Sequence, residues 1–269
     1  MAQSHELDLW QKMSKVTHDA KISGHLKTID SKIEIISCEG VDFVIRFAAQ
    51  LSTKIPKKAG EPNRSKPFLS PEPELFVQAL GEAHNLILNK FNILPIHGLI
   101  TTKNWVSQTD QLSLSDFAAL ELAFNEVDGF IFYNGGQQAG ASQDHRHFQL
   151  VPKDLGAGKL PIESAIERLQ GDHSLSIFPF NHRYYALPNW QAETLYDAWQ
   201  KMEYSWQPYN LLITRDWMIV VPRSCESLGS ISINSLGYAG ALLAKSETEL
   251  EFIRRQGPMA VLNQVSLNG

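Results

Sequence analysis

Asn134-Gly-Gly-Gln-Gln-Ala-Gly140-Ala-Ser-Gln-Asp-His145-Arg-His147-Phe-Gln149-Leu-Val-Pro152 is the stretch on which the reading of this chain turns. Its second half has the period of a strand. In an extended chain successive side chains take opposite faces, so His145, His147, Gln149 and Val151 share one face while Arg146, Phe148 and Leu150 share the other. Two imidazoles and a carboxamide thereby converge. One imidazole can attack, one can orient, and the amide can donate a hydrogen bond to an oxygen.

The first half is a glycine loop. Gly135, Gly136 and Gly140 are expected to leave backbone N–H groups open to an anion, so a phosphate fits both halves of the stretch. Gly135 and Gly140 have the spacing of a P-loop, but Ala141-Ser142 stand where Lys-Ser/Thr is required, which disfavours the P-loop ATPases. His145 and His147 could ligate zinc, yet no Cys-x-x-Cys or nearby His/Asp cluster completes a tetrahedral set, so no protein-held metal is expected.

Composition narrows the classes further. The chain has 269 residues, 43% hydrophobic and 20% charged, enough to bury one large core or two fused halves. A net charge of −5 gives no global basic field for nucleic acid, so a phosphate site must be a local cluster. Cys38 and Cys225 are far apart and lack a paired motif, which suits a reducing compartment. The N-terminus lacks a basic region followed by an apolar core, and nowhere do ~18 apolar residues run without charge. A cytoplasmic protein with no membrane partner is the expectation, with a monomer as the working assumption.

Taken in order, residues 4–20 are expected to be a helix with an apolar stripe of Leu7, Trp10, Met13 and Val16. Residues 33–37 and 43–47 read as a hairpin around Glu39-Gly40, and the proline-broken, basic stretch 54–73 as a surface loop. Residues 84–91 and 94–102 read as two strands, and 113–127 as a helix capped by Ser113 with Phe117, Leu120, Phe124 and Val127 inward. A strand over 130–133 then delivers Asn134. Beyond Pro152 a short helix starts at Pro161 and stops at Gly171, and a longer one spans 189–206. A hairpin of 209–214 and 217–221 follows, then a helix beginning at Asn234. On a ~3.6-residue period Asn234, Ala241 and Lys245 would lie on nearly one side of that helix. Gln256-Gly257-Pro258 ends the last helix.

Asn134, the run Gly140-Ala141-Ser142-Gln143 and His145-x-His147-x-Gln149 together resemble the site of the diadenosine tetraphosphate phosphorylases, or ATP adenylyltransferases, of the histidine-triad superfamily. The resemblance implies an α+β fold: a histidine-triad-like antiparallel sheet flanked by helices. Residues 1–152 would carry the nucleotidyl-transfer motif and 153–269 would complete the substrate site, within one compact unit. An echo between 97–101 and 210–214, each followed by a tryptophan, points to two related half-domains, as in the galactose-1-phosphate uridylyltransferases that the family resembles in fold. Further matches implicate Lys54, Asn89 and Lys90 in contacting the nucleotide, and Asn234, Ser235, Leu236, Ala241 and Lys245 in binding substrate.

The chemistry implied is attack by neutral His147 on the α-phosphorus of a dinucleoside tetraphosphate, departure of ATP, and capture of the adenylyl group by inorganic phosphate to give ADP. His145 would orient the site or bond the bridging oxygen, and Gln149 would hold a non-bridging oxygen. Because Gln149 cannot titrate, it removes one proton shuttle, which fits phosphate rather than water as acceptor. Lysines would offset the polyphosphate charge, with Mg²⁺ travelling on the nucleotide rather than in a protein cage. An unshifted imidazole predicts activity that falls below about pH 6.5. Three rivals stand: a histidine-triad hydrolase, a hexose-1-phosphate uridylyltransferase, whose structural cysteines are missing here, and a non-catalytic nucleotide-binding module.

Overall fold

The computed structural model describes residues 7–51, 67–168, 178–202 and 208–267. In chain order the helices are α1 (Leu9–Ile22), α2 (Leu114–Glu126), α3 (Glu163–Glu167), α4 (Ala192–Gln200), α5 (Ser235–Tyr238), α6 (Glu247–Gln256) and α7 (Pro258–Val265). The strands are β1 (Lys32–Cys38), β2 (Val41–Phe47), β3 (Phe76–Leu80), β4 (His84–Leu88), β5 (Gly98–Thr102), β6 (Phe130–Gly135), β7 (His147–Val151), β8 (Arg183–Ala186), β9 (Tyr209–Ile213), β10 (Trp217–Pro222), β11 (Ser227–Leu228), β12 (Ile231–Ser232) and β13 (Ala241–Ala244).

One antiparallel sheet of eight strands, in the order β3-β4-β5-β7-β6-β9-β10-β8, organises the molecule. Its central strands are buried along their whole length, which is why β9 and β10 read as nearly continuous apolar runs, interrupted in β9 by Asn210, rather than as alternation. Side chains on one face, such as Ile131, Phe148, Leu211 and Val220, pack with those of α1, α2 and α4. On the other face Phe132, Val151, Leu212 and Ile219 pack against the small sheet β1-β2-β13 and the C-terminal helices. His147 and Gln149 belong to this second face, because they alternate with Phe148 and Leu150.

The large sheet contains a topological repeat. The run β5-α2-β6-β7 has spatial order β5-β7-β6, and β8-α4-β9-β10 has spatial order β8-β10-β9. In both the last strand inserts between the first two, and the units meet where β6 pairs antiparallel with β9. The echo in the sequence pairs the wrong strands: it equates β5 with β9, whereas the topology equates β5 with β8 and β6 with β9. Apolar strands of similar composition align by chance over five residues; their place in the sheet does not.

Local signals that are short-range hold. Ser113 and Asp116 form a capping box at the start of α2, and Phe117, Leu120, Phe124 and Val127 are all buried. The β1–β2 turn uses positive φ at both Glu39 (49°) and Gly40 (78°), as a tight hairpin demands. Four readings are corrected. The buried stripe of α1 is Leu9, Met13, Thr17 and Ala20, with Trp10 and Val16 partly buried against the same core as expected but Leu7 exposed, because Asp8 caps the helix and sets its phase. α3 and α4 are shorter than expected, Pro161 precedes α3, and Gly171 and Trp206 lie outside the described residues. Gly257, at φ 83°, ends α6 but also starts α7, so the helix it ends is not the last.

The fourth correction bears on the site. The helix begun at Asn234 lasts one turn; Gly240 then takes φ 94°, close against Pro161, and the chain becomes strand β13, parallel to β2. A Cβ at residue 240 would sit 2.5 Å from the Pro161 Cβ, so only glycine allows this switch. Residues 241 to 245 thus present themselves with period two, not 3.6.

Candidate active site

A cavity of about 460 Å³ opens on the second face of the large sheet, where β4, β5 and β7 meet the small sheet and α5. Of the residues singled out in the sequence, Asn89, Lys90, Asn134, Gly140, Ser142, Gln143, His147, Gln149, Asn234, Leu236, Ala241 and Lys245 line it. Ala141, Ser235 and His145 do not, and Lys54 lies outside the described residues, as does most of the basic loop around it.

His147 is held as a nucleophile would be. Its Nδ1–H donates to the His145 carbonyl at 2.8 Å, which leaves the Nε2 lone pair as the free face of the ring. Its backbone is clamped by Gln108, whose Oε1 accepts from His147 N at 2.9 Å and whose Nε2 donates to the carbonyls of Asn134 and His147. The orienting group is therefore the carbonyl of His145 rather than its imidazole. The His145 ring is engaged at Nε2, which lies 2.9 Å from the Thr102 carbonyl, 2.9 Å from Thr102 Oγ1 and 3.1 Å from the Asn104 carbonyl.

Gln149 is oriented by a residue that the motif does not contain. His97 Nε2–H donates to Gln149 Oε1 at 2.8 Å, and Asn89 Nδ2 approaches His97 Nδ1 at 3.4 Å. With its oxygen engaged, Gln149 turns its NH₂ toward the cavity. His97 precedes β5 and lies 52 residues from Gln149 in sequence. Only the antiparallel pairing of β5 with β7 brings them together, so no local pattern could have found it.

Asn134 is fixed just as firmly. Its Oδ1 accepts from Asn210 Nδ2 at 2.9 Å, Ser235 N at 3.0 Å and Ser235 Oγ at 2.8 Å, so its NH₂ is the part left for the cavity. Asn210 is its register partner across the β6–β9 junction, and a fully buried Arg223 in turn donates to Asn210 Oδ1. Ser235, expected to touch substrate, instead locks Asn134, while Asn234 caps α5 through Leu236 N at 3.0 Å.

The glycine loop works differently from the sequence expectation. A single 3-10 turn over Gln137–Ala139 consumes its amides: Gly136 N bonds the Asn134 carbonyl, Gly140 N that of Gln137, and Ala141 N that of Gly136. The residues of the loop that line the cavity are Gly140, Ser142 and Gln143. Gly140, at φ 89°, is required because a Cβ there would meet the Asn234 Cβ at 2.7 Å and the Ile233 carbonyl at 2.9 Å. Among the described residues the cations that line the cavity are Arg46, Lys245 and Lys90, the last paired with Glu72 at 2.7 Å. Among the described residues no group of three or more His, Cys, Asp or Glu could hold a metal ion.

On the opposite face of β7, Arg146 Nη1 meets Asp116 Oδ2 at 2.8 Å, and His84 Nε2 meets Asp116 Oδ1 at 3.0 Å, all three side chains being buried. Burial would raise the Asp116 pKa, but the hydrogen bond from His84, the Arg146 charge and the bonds from Ser113 together bring it below its usual value. This buried pair ties α2 to the residue next to His147.

Burial pushes His147 and His97 down from 6.5 to about 4, against the raising effect of the hydrogen bonds that each makes, with a smaller lowering from the neighbouring imidazole, His145 for His147 and His147 for His97. The acid limb expected near pH 6.5 is thereby displaced toward pH 4. Stability follows the same shift. Between pH 6.5 and 4 the unfolded chain binds protons that the folded one refuses, so stability is flat above pH 6.5 and falls below it. Each ring costs about 2 kcal/mol by pH 5 if the two act independently. Urea midpoints measured at pH 7.5 and 5 should differ accordingly, and equal midpoints would refute the buried neutral assignment.

Comparison with known proteins places these features. The family model described as Ap4A phosphorylase N-terminal domain matches residues 2–168, and that described as ATP adenylyltransferase C-terminal domain matches residues 176–268. Diadenosine 5',5'''-P1,P4-tetraphosphate phosphorylase 2 of Saccharomyces cerevisiae is 27% identical over 297 residues, covering 91% of this chain and 90% of its own. Protein APA1 of the same yeast is 30% identical over 238 residues, 71% and 72% of the two chains. The crystal structure of yeast Ap4A phosphorylase Apa2 in complex with Ap4A superposes with a TM-score of 0.77 at 26% identity, over 97% of this chain and 98% of that one. The AMP complex of the same enzyme gives 0.76 at 26% identity, over 97% and 96%.

Proposed function

The chain belongs to the Ap4A phosphorylase family and is an ATP adenylyltransferase acting on nucleotides; on that premise we propose that it splits diadenosine tetraphosphate with inorganic phosphate through a nucleotidyl group carried on His147. The observation that carries the reading is the imidazole itself, anchored at Nδ1 with Nε2 left over, on the wall of a cavity that Asn, Ser, Gln and Lys side chains also line.

In the first step His147 Nε2 forms a bond to the α-phosphorus as the bond to the bridging oxygen breaks, and ATP leaves. In the second step an oxygen of inorganic phosphate forms the new bond, the P–N bond breaks, and its electron pair returns to Nε2 with release of ADP. Splitting one displacement in two replaces a single encounter of two polyanions with two attacks inside a preorganised site. The NH₂ groups of Gln149 and Asn134 hold non-bridging oxygens, each fixed from behind by His97 and by Asn210 with Ser235. Lys245 and Lys90 offset charge along the polyphosphate, which must draw Lys90 from Glu72. A divalent ion, where one takes part, comes with the nucleotide. Lys54 is assigned to the same path on resemblance alone. A chain acting alone in the cell's cytoplasm is the simplest setting for this chemistry. Among the described residues no helix is long and apolar enough to cross a membrane.

Incubation with diadenosine tetraphosphate, Mg²⁺ and labelled phosphate tests the reading. Label in the β-position of ADP supports it. Turnover that leaves the phosphate unlabelled would make the protein a hydrolase, and failure of any turnover would favour a binding module.

A further inference from the structure

One aromatic ring on the catalytic face has no part in the mechanism above. Phe68 sits with its ring centroid 5.3 Å from that of His147 and 5.6 Å from that of His145, tilted by 57° and 53°. It is 8% exposed and packs with Ile87 and Leu99 into a small apolar cluster separate from the two main cores. Leu99 stands opposite Gln149 in the β5–β7 register, and all three members line the cavity beside His147. An apolar wall is thus built directly onto the reacting group, in a cavity that further apolar side chains such as Leu75 and Leu94 line together with the polar ones.

We propose that Phe68 selects the acceptor: its ring keeps water from being held against the nucleotidyl-histidine, so that the intermediate survives until phosphate arrives. The inference rests on the phosphorylase reading. Either acceptor ends in the same bond changes at phosphorus, with the P–N electron pair returning to Nε2. Phosphate brings an oxygen that is already anionic and is itself steered by Lys245 and the Ser142 side of the cavity. Water is neutral, must be oriented by hydrogen bonds and must lose a proton as it attacks. Phe68, Ile87 and Leu99 offer neither donor nor acceptor. Gln149 cannot take the proton, and His97 Nε2 already carries one for Gln149. A ring in contact range of the imidazole therefore costs phosphate little and deprives water of its place.

The test is the AMP-to-ADP product ratio from diadenosine tetraphosphate and labelled phosphate for the wild type and for Phe68→Leu, Phe68→Val and Phe68→Ala, with ATP release as the measure of the first step. The ratio should rise stepwise as the side chain shrinks, by about tenfold or more at alanine, while ATP release changes far less. Three graded variants keep the test alive if alanine does not fold. A ratio unchanged in variants that still release ATP overturns the proposal. So does loss of ATP release even in Phe68→Leu, which would make the ring a substrate contact. Neither result touches the phosphorylase reading, which fails only if the wild type yields no labelled ADP.

Discussion

His147→Ala should lower kcat on the order of 10⁴-fold, near 5.4 kcal/mol of barrier, while ATP still binds within a few-fold of its wild-type affinity. The size follows from the role. Without Nε2 no covalent intermediate forms, and phosphate must displace ATP directly from a dinucleotide in a site not arranged for that line of attack. Binding survives because the imidazole is a small part of a cavity whose phosphate-facing groups are fixed independently, Gln149 by His97 and Asn134 by Asn210 and Ser235. The same substitution removes a ring that resists protonation, so the acid loss of stability below pH 6.5 should become shallower. Turnover within tenfold of wild type, or equal loss of binding and turnover, would remove His147 from the centre of the reaction.

The second large effect lies on the other side of the same strand. Asp116→Ala should destabilise the protein by about 3–5 kcal/mol, because it strands the buried guanidinium of Arg146. It also removes the carboxylate that closes the capping box with Ser113. For a chain of this size the loss corresponds to a fall in Tm of roughly 10 °C. The control is to remove both charges: Asp116→Leu with Arg146→Met should recover much of the loss, since an apolar pair of similar volume is tolerated where a lone charge is not. Thermal unfolding of the two variants decides, and a drop below about 1 kcal/mol for Asp116→Ala would show the pair to be solvated. Since Arg146 adjoins His147, the single variant should also lose activity before it unfolds.

How much of this was readable in the chain depends on the range of the cause. The alternation of His145 to Val151 has period two and is local, so the face that carries His147 and Gln149 was legible, and so were the capped helix α2 and the Glu39-Gly40 turn. The stretch from Asn234 to Lys245 brought the right residues to the cavity for the wrong reason. Its small and aliphatic residues suit a helix equally well, and what makes 241–244 a strand is pairing with β2, some two hundred residues earlier. The glycine loop misled in the opposite way: glycines signal exposed amides, but here the amides close a 3-10 turn and Gly140 serves close packing against Asn234. His97, Gln108 and Asn210 act across long sequence separations and carry no motif, His97 and Asn210 being placed by the sheet and Gln108 by the loop before α2, so only the folded structure finds them.

The most direct measurement is to give the protein diadenosine tetraphosphate without phosphate, isolate it, and map any bound nucleotide by mass spectrometry under conditions that preserve phosphoramidates. The account predicts one adenylyl group on His147, released as ADP when phosphate is added and absent from His147→Ala. Phosphorolysis that proceeds with no protein-bound nucleotide, or an adduct on His145 or His97, would contradict it.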